Sequence, residues 1–321
     1  AELALRRRFW HARPPYARPG ESFMPSMNQH ISRFTHLFLL AIGWLLFACT
    51  VHAEHSVLMQ GNGKLAIVDE TGKVSWEMPW RGIHDLHVLP NGNIMTQQTM
   101  QKVVEIDRQS KRVVWTYDAA NQNENRGQAV EVHAFQPLRN GNLMIVESGP
   151  GRIIEIDRNG HLQKEFKLKI DHPHPHTDTR LARKLDNGHY LVCHERDGAV
   201  REYDSAGQVV WEYSVPLFGK EKKNGHGLEA FGNKCFSAVR MDNGNTLIGT
   251  GNGHSVIEVT PDKELVWQLH QDDLPGIRLA WVTTIQVLPN GNYVIGNCHA
   301  GPKNPLLVEI EAHLDTLLPN I

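Results

Sequence analysis

The sequence lacks most of the signatures that announce a chemistry. It has no Gly-x-Ser-x-Gly elbow, no Gly-x-x-x-x-Gly-Lys-Ser/Thr phosphate loop and no His-Glu-x-x-His helix, which removes the best-marked hydrolase, nucleotide-binding and metalloprotease classes. Cysteine is scarce, four in all with no Cys-x-x-Cys pair, so neither a haem-attachment motif nor a zinc ribbon is encoded. The formal charge is only −2 and no basic stripe is present, which argues against nucleic acid as a partner. Long apolar runs are missing too. The longest, residues 37–48, holds about twelve apolar side chains, too few to span a bilayer comfortably. Nor does any long stretch show helical periodicity, so helices are expected to be short and confined to loops.

The apolar run has a different use. Arg33 precedes it and Val51-His52-Ala53 follows as a small-residue cleavage site, so residues 27–53 read as an export signal, not an anchor. Residues 1–26, rich in Arg and Pro, read as an upstream or non-native segment. A periplasmic or secreted location is expected. Leu46-Phe47-Ala48-Cys49 makes a poor lipoprotein box because Phe47 is bulky, so lipid anchoring is not expected. Cleavage after Ala53 would remove six Arg against two Glu and leave residues 54–321 with a charge of about −6. It would also leave Cys193, Cys235 and Cys298, an odd number, read as buried free thiols.

What the chain does have is a repeat. The copies read VLPNGNIM, PLRNGNLM, KLDNGHYL, RMDNGNTL and VLPNGNYV, and their Asn residues (Asn91, Asn140, Asn187, Asn243, Asn290) lie 49, 47, 56 and 47 apart. Alternating apolar residues flank each Asn-Gly pair, the strongest short hairpin signal, with both turn residues expected at positive φ. A third run follows (VVEID, IIEID, VREYD, VIEVT, LLVEI) and then a fourth (RVVWTY, HLQKEF, QVVWEY, ELVWQL). One period is thus a four-stranded antiparallel meander, and stacked meanders of this length predict an all-β fold, a β-propeller of about six blades. Trp76, Trp115, Trp211 and Trp267 share one repeat position, with Lys164 in blade three, and are assigned to packing between blades. The first blade begins without its hairpin strand, and only EAHLDTLLPNI follows Ile310, enough for one more strand and not two. The last blade is therefore expected to be incomplete.

The motifs LPNGN, EID and VVWEY resemble the PQQ-like repeats shared by the quinoprotein alcohol dehydrogenase-like superfamily and the arylsulfotransferase-like propellers. The resemblance covers nearly all of residues 55–310 and implies the fold, because the matching residues are those that build blades. Quinone-dependent dehydrogenases of that superfamily are larger and eight-bladed, and seat the cofactor on a disulfide between neighbouring Cys; with no adjacent Cys pair here, binding of the quinone is not implied. Likeness to the arylsulfotransferases implies a His nucleophile for sulfuryl transfer, but no single His here matches that family's catalytic position.

Loops entering the first strand of a blade, and loops leaving the second, open on one face of a propeller, where function concentrates. Seven positions before each repeat Asn stand His84, His133, Arg180, Phe236 and Thr283; seven after stand Gln98, Glu147, His194, Thr250 and Asn297. The same loops carry the run His172-Pro173-His174-Pro175-His176, expected to share one side as a metal or anion clamp, and also His226, His254 and His299. Cys193-His194-Glu195 and Cys298-His299 look like ligand pairs, although neighbouring residues on a strand point oppositely. The Gly-rich connection 216–233 reads as a lid, and the loop 272–281 places Arg278 and Trp281 beside the channel. The expected site is thus a His-rich mouth of His84, His133, Glu147, Arg180, His194, His226, His254, Arg278, Trp281, Asn297 and His299, taking a small molecule, a carbohydrate or a protein. These side chains permit a divalent metal, and no cofactor is assigned. An envelope assembly platform working through its blade faces is the third reading.

Overall fold

The computed structural model describes residues 55–82 and 84–312; the segments read as upstream sequence and export signal lie outside them. Six antiparallel sheets follow one another around a ring, the six-bladed propeller that the repeat predicts. Blade one is β1 (Val57–Gly61), β2 (Lys64–Val68) and β3 (Val74–Pro79). Blade two is β4 (Leu86–Val88), β5 (Ile94–Thr99), β6 (Lys102–Asp107) and β7 (Arg112–Asp118). Blade three is β8 (Glu131–Pro137), β9 (Leu143–Ser148), β10 (Arg152–Ile156) and β11 (Leu162–Lys167). Blade four is β12 (Ala182–Lys184), β13 (Tyr190–His194), β14 (Ala199–Tyr203) and β15 (Val209–Ser214). Blade five is β16 (Ser237–Arg240), β17 (Thr246–Gly249), β18 (Val256–Val259) and β19 (Leu265–Leu269). Blade six is β20 (Val282–Val287), β21 (Tyr293–Asn297) and β22 (Leu307–Ile310). Among the described residues no helix is long and apolar enough to cross a membrane.

Local chemistry explains the hairpins, with one correction. Gly92, Gly141, Gly188, Gly244 and Gly291 all have φ of 84 to 88°, whereas none of the preceding Asn residues does. The turn is therefore not the two-residue type with both φ positive. Leu89 accepts from Gly92 N at 2.8 Å while its own N–H donates to Asn93 O at 2.8 Å, the pattern of a type I turn closed by a left-handed Gly. Asn is needed for its side chain instead: Asn91, Asn140, Asn187, Asn243 and Asn290 each accept, through Oδ1, the N–H two residues on, at 2.9 to 3.1 Å. The repeat Glu of the third strand then holds the residue after the Gly, as in Glu105 with Asn93 (2.8 Å), Glu202 with His189 (2.7 Å) and Glu258 with Asn245 (2.6 Å).

Apolar side chains from facing blades form the cores between them, one example being Met95, Val103 and Tyr117 of blade two against Val132, Phe135 and Ile154 of blade three. The repeated Trp is the outer clamp. Trp76, Trp115 and Trp211 donate through Nε1 to Arg108 O, Arg158 O and Pro261 O of the next blade at 2.9, 2.7 and 2.9 Å. Where blade three has Lys164, its ammonium lies 5.1 Å from the Tyr190 ring of blade four. Blades six and one meet at His55 and Glu309, 3.9 Å apart, and where Leu306 packs on Gly61. The first and last sheets are three-stranded among the described residues, and the stretch from which a closing strand was expected lies beyond them.

Candidate functional site

The loops entering β4, β8, β12, β16 and β20 gather at one end of the ring. His84 precedes β4 with φ of 93°, a conformation that L residues rarely adopt. Its ring packs 4.6 Å from that of His133, which lies at an irregularity in the β8–β9 pairing between Val132 and Ala134. Such bulges turn a side chain away from the regular alternation. Here His133 Nε2 lies 2.9 Å from Glu131 Oε2, and His176 Nδ1 reaches the same oxygen at 2.7 Å. On its other side His133 Nδ1 lies 2.8 Å from Thr179 O and 3.1 Å from the Arg180 guanidinium. Burial, helped by His133 and Arg180, pushes the pKa of His84 down to about 2, so this imidazole is neutral.

Arg180 joins this group to a second. Its Nε donates to Glu195 at 2.6 Å, and its guanidinium lies 4.9 Å from the Phe236 ring. Phe236 meets Trp281 edge-on at 5.2 Å. His226 stacks on Trp281 at 5.1 Å and 17°, while His299 lies 5.3 Å from it. Lys234 bonds Glu195 at 2.8 Å and sits 5.4 Å from the Trp281 ring. The long connection 216–233 thus lays His226 over Trp281, whose own φ is 53°.

Five nominated residues lie elsewhere. Glu147 is fully buried, bonded to Arg152 (2.6 Å), Asn125 (2.8 Å) and Tyr117 (3.1 Å) between blades two and three. His194 is fully buried as well; Nδ1 donates to Asp178 O at 3.0 Å and Nε2 accepts from Tyr203 at 2.9 Å. His254 donates to Ala230 O at 2.6 Å and accepts from Trp281 N at 3.0 Å, which braces the aromatic group from behind. Asn297 pins the loop 278–305 by accepting from Ala280 N (2.7 Å) and donating to Arg278 O and Pro305 O (3.1 Å each). Arg278 is exposed and paired with Asp272 at 2.6 Å. The His run does not act as one clamp either: His172 Nδ1 lies 3.0 Å from Asp197, whereas His176 turns to Glu131.

Sequence reasoning missed Glu131, Lys234 and an ion pair at the inner edge of the ring, and named Glu195 only as a metal ligand beside Cys193 and His194, not as the partner of Arg180. There Asp85 of blade two takes both terminal nitrogens of Arg183 of blade four, at 2.6 and 2.8 Å, and accepts from Phe135 N between them. Burial alone would raise the pKa of Asp85, but Arg183 and His87 hold it well below the usual carboxylate range. Glu131 stands two residues from His133 on the same strand, but the irregularity at His133 breaks the alternation from which a shared face could be read. The contact from Asp85 to Arg183 spans 98 residues and left no local trace.

The family model described as "Outer membrane protein assembly factor BamB" matches residues 61–301. The chain belongs to that family. Membership fits the PQQ-like repeats and leaves the mouth unassigned, since a shared scaffold does not carry a site with it. A search of curated proteins finds no match. Among solved structures, a protein of unknown function from Bacteroides caccae superposes with a TM-score of 0.64 at 23% identity, over 80% of this chain and 89% of that one. A streptogramin B lyase gives 0.53 at 13%, over 80% and 79%. A virginiamycin B lyase from Staphylococcus aureus, solved with quinupristin as a catalytically inactive variant, gives 0.51 at 12%, over 84% and 87%. At these identities the likeness shows the fold alone.

Proposed function

We propose that this BamB-family propeller is an envelope-associated binding protein that takes a small polar molecule at its His-rich mouth. One observation carries the reading. Of the eight buried side-chain polar atoms without a hydrogen-bond partner among the described residues, four (His84 Nε2, Thr177 Oγ1, Ser237 Oγ and Trp281 Nε1) belong to loops or strand starts at this end of the ring. Folded proteins pair nearly all buried polar groups, so unpaired ones beside an opening are places where a ligand or ordered water can complete the structure. The imidazole–carboxylate group and the aromatic group, linked through Arg180 and Phe236, offer polar recognition beside a flat apolar wall. The envelope location draws on the family's description and on the export signal read in residues 27–53.

Native mass spectrometry of the full chain purified from an exporting host tests the reading. A retained small-molecule adduct that disappears in Trp281→Leu is the expected result. A bare mass in the parent, together with a co-purifying protein that Trp281→Leu still holds, would favour the assembly platform suggested by the family's description.

A further inference from the structure

The group around Glu131 is crowded with ligand-type atoms. His133 is buried, with Thr179 O 2.8 Å and an Arg180 nitrogen 3.1 Å from Nδ1 and Glu131 Oε2 2.9 Å from Nε2. The same carboxylate oxygen lies 2.7 Å from His176 Nδ1. Alongside, His84 holds a strained backbone and a buried Nε2 with no partner.

We propose that Glu131, His133 and His176 bind a divalent transition-metal ion. Their ligand atoms all lie within 4.8 Å of one another, and the Glu131 oxygen is 2.9 and 2.7 Å from its two imidazole nitrogens. Bonds of about 2.1 Å subtending a right angle separate two donors by about 3 Å, so the side chains need little movement to close on an ion. The ion takes the Nε2 lone pair and thereby fixes the proton on Nδ1, where the Thr179 carbonyl receives it. An imidazole whose second nitrogen donates to a backbone carbonyl is the usual support of a metal-bound His. Arg180 lies close, but Glu195 neutralises it at 2.6 Å. Two imidazoles and one carboxylate suit zinc or iron better than calcium or magnesium. His176 is exposed, which gives the ion a path from solvent. Three protein donors leave further positions for water or an oxygen of the molecule held at the mouth. The inference deepens the small-molecule reading and rests on it for that last step.

Calorimetric titration of the tag-free, chelator-treated full chain with Zn²⁺ tests the site, with Co²⁺ absorption reporting the donors. One ion per chain is expected, with affinity lowered at least tenfold in both His176→Ala and Glu131→Gln and unchanged in His161→Ala, an exposed imidazole beside Asp157 and away from the mouth. His176 is exposed, so its loss leaves the fold intact, and thermal melts of each variant confirm this. No binding, or equal affinity in parent, His176→Ala and Glu131→Gln, overturns the proposal, as does loss in His161→Ala alone. A bound ion with no retained molecule contradicts only the small-molecule reading; a retained molecule with no bound ion contradicts only the metal.

Discussion

The residues seven positions before each repeat Asn and those seven after it looked equivalent in the sequence, yet most of them meet different partners. The leading set supplies His84, His133, Arg180 and Phe236, which meet across four blades. In the trailing set Gln98 is exposed, whereas Glu147, His194, Thr250 and Asn297 are almost completely buried, and each of these four is bonded inside the wall. The cause is strand position. A second strand is flanked by sheet on both sides and faces neighbouring blades, so its polar ends must find partners within the protein. The loop entering a first strand lies at the inner edge, where partners are not guaranteed. A polar residue in a repeat is therefore a candidate for binding only if its strand borders the opening.

This contrast can be broken most sharply with Glu147→Ala against His299→Ala. Removing Glu147 leaves the Arg152 guanidinium buried without its main counter-ion, a loss of about 3–5 kcal/mol. Removing the exposed His299 is expected to change stability by no more than about 0.5 kcal/mol. Urea melts decide, and equal losses would erase the distinction between wall and mouth.

A pH titration of stability sharpens it next. Burial, helped by Arg201, lowers the pKa of His194 from 6.5 to about 4. The unfolded chain then takes up the proton first, so His194 contributes a fall in stability of about 3 kcal/mol as pH drops from 6.5 to 4, at about 1.4 kcal/mol per unit, on top of the fall that His84 gives over the same window. Asp197 acts lower on the scale: against its burial, bonds from Arg201, Asp171 N and His172 hold it at about 2, and its contribution disappears as pH falls from 3.8 through 2. His194→Gln is expected to reduce the slope of the upper window and leave the lower one as it is; an unchanged slope would mean that His194 is solvated.

Smaller effects test the clamps between blades. Trp115→Phe removes a bond to Arg158 O, whereas Trp267 Nε1 has no partner to lose. The first substitution should cost about 1 kcal/mol more than the second in thermal melts. Smallest is Asn140→Ala, which removes one side-chain bond within a turn, about 0.5 kcal/mol by the same measure.

The fold was legible because each blade is built by local rules that recur: the Asn that closes its own turn, the Glu that holds it from the third strand, the Trp that reaches the next blade. The turn geometry was misread because Asn-Gly serves two kinds of hairpin, and only the backbone distinguishes them. The mouth was half legible. Histidine type and spacing pointed to the end of the ring where several of these side chains gather, but the partner that decides a role can come from another blade, as Thr179 does for His133. Pairings such as Asp85 with Arg183 depend on ring closure and cannot be read from any one repeat.

Electron density at the mouth of crystals of the purified protein, grown without added metal or ligand, tests the central claim most directly. The account predicts non-protein density within bonding distance of His84 Nε2, Trp281 Nε1 or the Glu131–His133–His176 group. Density at none of these, with each of those atoms instead paired to another protein group, would contradict it.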